Sequence, residues 1–154
     1  MTPRTVRALY CALVHHPVRD RAGAAVTSAV TSVNVQDIAR TAHTYGVSGY
    51  YVVTPIAAQH AVVRRLLDHW DEGAGGRRVP ERREALSLCE CVTSIEDAAA
   101  RIEAREGARP RLVATAARTL PAHAPRLRSF AEEAEALRSD GPPTLLLFGT
   151  GHGL

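Results

Sequence analysis

Apolar residues follow two alternating rhythms along this chain. Unbroken runs rich in Val, Leu and Tyr are separated by segments in which apolar positions return every three or four residues. Five runs read as buried strands: 6–15, 50–54 (closed by Pro55), 85–92, 111–116 and TLLLFG at 144–149. Between them lie helical patterns. Asn34, the predicted N-cap, opens VQDIARTAHTY, where Ile38, Ala39, Ala42 and Tyr45 recur at helical spacing and Gly46 stops the helix. Residues 57–70 carry Val62, Val63, Leu66 and Leu67. Ser94 caps 95–106 with Asp97 three residues on, and 126–137 is a further amphipathic helix. Asp20 to Gly23 is turn material, 26–32 takes no assignment, and the charged, glycine-bearing stretch 71–84 reads as an exposed loop.

Strands alternating with helices predict an α/β fold over 1–154 as one domain, its mostly parallel sheet flanked by helices on both faces. Ligands of such sheets collect beyond the carboxyl ends of the strands. That rule points to Asn34, the Thr54–Pro55 corner, residues 115–118 and residues 149–154.

Composition changes this picture little. Hydrophobic residues make up 45% of the chain and charged residues 23%, enough for a packed core. No apolar run approaches the roughly 20 residues of a membrane helix, and the N-terminus reads as a strand, not a signal peptide. Three cysteines are too few for a disulfide framework and lack a second cluster for zinc. Cys89 and Cys91, two apart on one strand face, and Cys11 read as reduced core thiols of a cytoplasmic protein. The net charge is +3 and every basic side chain is arginine, with no lysine. Arginine's flat fork suits an RNA partner. A compositional bias shared with the abundant alanine explains the same fact.

Two pieces carry candidate chemistry. Gly149, Gly151 and Gly153 alternate directly after a buried strand, where bare main chain approaches a ligand closely. The spacing matches neither phosphate-binding glycine motif, and a plain turn accounts for it too. Arg40 lies near the apolar side of its helix, so it either contacts a phosphate or reacting group, or covers only its stem at the helix edge. His152 stands in the pocket loop and His15 and His16 at a strand end, but none is singled out as a base.

The stretch Asn34-x-x-x-Ile-Ala-Arg40-Thr-Ala, followed by Tyr-Gly-Val, resembles the first motif of SPOUT methyltransferases. LYCALVHHPV, TSAVTSVN, YYVVTP, LVATAAR and LLLFGTGHGL extend the match over nearly the whole chain. Together they resemble the SAM-dependent RNA methyltransferase domain of the tRNA (guanine-N1)-methyltransferase C-terminal type. The resemblance implies an α/β knot fold, S-adenosylmethionine as cofactor, RNA (tRNA or rRNA) as substrate and a homodimer, with neither DNA nor a membrane as partner. It implies that Arg40 orients the RNA at the transfer centre, across the dimer interface, with Asn34 beside it. Thr115, Ala116 and Arg118 would edge the cofactor pocket, and Gly149, Thr150, Gly151, Gly153 and Leu154 would form its wall. The loop departs from the Asn-Glu pair of many SPOUT enzymes, and the family's knotted last segment is expected to be missing beyond Leu154. Two other readings stand beside this one. One is a non-catalytic RNA-binding or dimerisation module of the same architecture. The other is an unrelated nucleotide-binding α/β domain.

Overall fold

In the computed structural model, residues 7–117, 124 and 126–154 are described. The first strand, β1 (Leu9–Val14), is followed by a small antiparallel hairpin, β2 (Val18–Arg19) and β3 (Ala25–Val26). Asp20 shapes the hairpin turn: its Oδ1 accepts from the Ala22 and Ala24 amides at 2.8 and 2.9 Å. Then come α1 (Ser32–Thr44), β4 (Gly49–Val53), α2 (Ala57–Asp71), α3 (Ala74–Arg78), α4 (Pro80–Leu86) and β5 (Cys89–Val92). The remainder is α5 (Ile95–Glu106), β6 (Arg111–Ala114), α6 (Phe130–Arg138) and β7 (Thr144–Gly149).

The five long strands form one parallel sheet in the order β5-β4-β1-β7-β6. Side chains alternate across it and build two cores. On one face Cys11, Leu13, Tyr50, Val52 and Cys89 meet Val35, Ala39 and Ala42 of α1, Val63 of α2 and Leu86 of α4. On the other, Tyr10, Ala12, Val14, Tyr51, Val53, Leu145 and Leu147 meet Ala98 and Ile102 of α5 and Val18 of the hairpin. The expected fold class therefore holds, with helices on both faces. Each fully buried Val or Leu side chain contributes roughly 1.5–3 kcal/mol to holding the layers together.

Four boundaries differ from the sequence pattern. Thr31, not Asn34, caps α1, its side chain accepting from the Asn34 amide at 3.3 Å. The charged stretch 71–84 is not a loop but holds α3 and α4. Pro80 starts α4, where its fixed φ suits a first helical position, and the arginines and glutamates of that helix lie mostly outward. Ala85 and Leu86 are buried as the last residues of α4, so the strand that follows begins at Cys89. Finally, α6 begins at Phe130 behind a capping box of Ser129 and Glu132.

Candidate functional site

Because the five strands run in parallel, their carboxyl ends share one edge, and the connections leaving that edge form the candidate site. Residues 150–154 fold back onto it. The Thr150 amide donates to Val14 O at 3.2 Å, and the Gly153 amide to Thr150 O at 3.1 Å. The hairpin closes the other side: the His152 amide donates to Arg19 O at 3.0 Å and the Arg19 amide to Gly153 O at 2.8 Å. Gly151 has φ +60°, and a Cβ there would sit 3.0 Å from Arg19 O. At Gly149 a Cβ would meet Leu154 at 2.9 Å. Leu154 itself packs against the core under α5. Glycine is thus required at 149 and 151 by the tightness of the loop itself.

Behind this loop lies a polar network. His15 is fully buried, and its Nδ1 is 2.8 Å from Ser28 Oγ. Ser28 Oγ in turn bonds Thr150 Oγ1, which donates to Val14 O at 3.0 Å. Gln59 of α2 donates to Ser28 O at 3.3 Å and accepts from Thr54 Oγ1 at 3.1 Å. His60 Nε2 lies 2.6 Å from Thr54 O. Burial holds the His15 imidazole below its ordinary pKa, so it is neutral near pH 7. Sequence reasoning gave none of Ser28, Gln59 or His15 a site role; only their placement in the sheet brings them together.

The electrostatics of the edge are set by helix ends. Both α1 and α2 point their N-termini toward it, and neither carries an acid in its first turn. In α2 no side chain caps the helix. The exposed side chains of Arg19 and Arg21 add positive charge in the hairpin that flanks the loop.

The predicted residues fall into two groups. Thr115 and Ala116 leave β6 beside β7, where the Thr115 amide and hydroxyl both donate to Leu147 O, at 3.0 and 3.1 Å. Together with Gly149, Thr150, Gly151, Gly153 and Leu154 they occupy one stretch of the carboxyl edge. Arg118 lies outside the described residues. Asn34 is half-buried in the first turn of α1, near the edge. Arg40 lies about 9 Å further along the helix, at the usual 1.5 Å rise per residue. It is exposed and paired with Asp37 at 3.4 Å, so within one chain it does not join the loop. His152 is exposed. All three cysteines are free, and burial pushes the thiols of Cys11 and Cys91 up to about 12 and about 11, which leaves them inert as nucleophiles. Among the described residues no cluster of His, Cys, Asp and Glu could hold a metal ion, and no helix is long and apolar enough to cross a membrane.

Residues 8–154 match the sequence profile of a family described as SAM-dependent RNA methyltransferase. Two proteins named tRNA (guanine-N(1)-)-methyltransferase are similar to the chain. That of Oleidesulfovibrio alaskensis is 41% identical over 151 residues, and that of Nitratidesulfovibrio vulgaris 39% over 152. In both, the match covers 98% of this chain and 34% of the relative, so the chain spans about a third of their length. An uncharacterised protein of Aquifex aeolicus is 34% identical over 146 residues, covering 95% of this chain and 69% of its own length.

Proposed function

The chain belongs to the SAM-dependent RNA methyltransferase family, and from that premise we propose that it binds S-adenosylmethionine at the carboxyl edge and serves methyl transfer to RNA. The observation that carries this reading is the convergence of the 149–154 loop with Thr115 and Ala116 on one stretch of that edge. Apart from His152 and Leu154, their side chains are small and uncharged. They fit a cofactor whose adenosine part is held by main-chain groups and packing, not by ionic contacts. Bound there, S-adenosylmethionine supplies a methyl group already activated on a sulfonium. The protein's own task is then alignment and exclusion of water.

RNA phosphates suit the same edge. The first turns of α1 and α2 present amide dipoles, and Arg19 and Arg21 stand beside the loop. The names of the two curated relatives favour tRNA over rRNA as the substrate. We further propose that 1–154 acts as one domain of the knotted SPOUT type in the cytoplasm, and that it pairs with a second copy. Val33 and Arg40, seven residues apart, share the outward stripe of α1, and Val33 is 62% exposed. That placement supports the role that the family resemblance implies for Arg40, as a group that reaches the RNA across the pair, with Asn34 nearer the cofactor.

Calorimetric titration with S-adenosylmethionine, followed by transfer of labelled methyl groups to bulk tRNA, tests the proposal. Binding by the chain, weakened at least tenfold in Gly151→Val, is expected. RNA binding without any affinity for the cofactor would replace this reading with the non-catalytic RNA-binding module.

A further inference from the structure

The network behind the loop carries more than support. Its hydrogens can be assigned by counting donors. Val14 O can only accept, so the hydroxyl of Thr150 donates to it. With its single proton committed, Thr150 Oγ1 must accept from Ser28. Ser28 has then spent its own proton, so the contact at 2.8 Å from His15 Nδ1 must be a donation by the imidazole. Neutral His15 is therefore protonated on Nδ1. Its Nε2 is a bare lone pair, buried and without a hydrogen-bond partner among the described residues.

We propose that His15 is a positioning residue: its Nδ1–H starts a one-way hydrogen-bond chain through Ser28 and Thr150 to Val14 O that fixes the glycine-rich loop on the sheet edge. The functional meaning rests on the reading of that loop as the S-adenosylmethionine site. The direction of the chain matters. If the proton sat on Nε2, Nδ1 would have to accept from Ser28. Thr150 would then turn its hydroxyl to Ser28 and release Val14 O. The tautomer of one buried ring thus decides whether Thr150 is anchored by two hydrogen bonds to β1 or by its amide alone. Two further contacts hold the relay in place. The Ser28 amide donates to His15 O at 2.8 Å, and Gln59 fixes Ser28 O.

The test combines nitrogen NMR of histidine-labelled protein with amide exchange and cofactor binding. In the wild-type chain, without ligand, Nδ1 of His15 is expected to carry the proton and Nε2 to be bare. Ser28→Ala should speed exchange of the Thr150 and His152 amides by about tenfold, the equivalent of one hydrogen bond. It should weaken S-adenosylmethionine binding by a similar factor, read by calorimetry. His15→Asn, whose side-chain amide replaces the Nδ1–H, should stay close to wild type, whereas His15→Phe should match Ser28→Ala. A proton on Nε2, or unchanged loop exchange in Ser28→Ala, overturns the proposal. Failure of the wild-type chain to bind S-adenosylmethionine sinks only the cofactor reading, because the tautomer and the exchange rates still decide what His15 does.

Discussion

His15 sits at the end of a strand where burial disfavours its charged form. The unfolded chain therefore takes up a proton before the folded one does. The stability due to the neutral ring is complete above the ordinary histidine pKa of about 6.5 and declines as the pH falls through that value toward the depressed one. Asp97 and Glu133, held low by Arg101 and Arg111, act in the same sense but at more acid pH. His16, on Thr27, and His60, on Thr54 O, are the other imidazoles near the edge. In His15→Asn, which cannot titrate, melting temperature should fall less between about pH 7 and pH 5 than in the wild type. Parallel curves would mean that the acid sensitivity lies elsewhere. At this scale the site was half legible. GTGHGL announced itself because its glycines are contiguous with a strand. The relay did not, because residues 15, 28 and 59 are each unremarkable locally and meet Thr150 only through the sheet.

Individual helices are held to the sheet with unequal grip. α5 buries Ala98, Ala99 and Ile102 behind the Ser94 cap, and the small alanines let it lie close to the sheet. By contrast, α6 buries none of its residues and is tied to β6 through the ion pair of Glu133 and Arg111, both largely screened from solvent. Glu133→Gln should raise amide exchange across 130–138 severalfold while shifting the urea midpoint little, since surface and rim pairs contribute on the order of 1 kcal/mol or less. A large loss of global stability would show instead that α6 is part of the cooperative core. Element prediction failed where charge hid apolar anchors. In 71–84 only Ala85 and Leu86, just past the charged run, mark the inward side of α4, and Trp70 spends one face on Arg82 at 4.8 Å. Long periodic helices such as α1, α2 and α5 were legible because their apolar stripe exceeds two turns.

Taken whole, the molecule leaves several apolar side chains uncovered: Val33 on α1 and Tyr45 at its C-cap, Phe130 on α6, and Phe148 and Leu112 on the sheet. Burying them requires another surface, and a second copy supplies it in the proposed pairing. Sedimentation at micromolar concentration should give a dimer mass, reduced to monomer by Val33→Glu. A monomer across that range would end the pairing and with it the trans role of Arg40. Strand order was the least legible property, because five apolar runs look equally buried in sequence. Only the alternating exposure along β6 betrays an edge. The order has a consequence for synthesis. β1 is made first among the sheet strands, yet one of its two neighbours is β7, and Val14 waits for Thr150, 136 residues later, to complete its bonding. At ribosomal speeds of about 5–20 residues per second, several seconds pass with one side of the innermost strand bare. The nascent chain therefore emerges as a half-sheet whose bare flank can pair with another strand until β7 clears the exit tunnel.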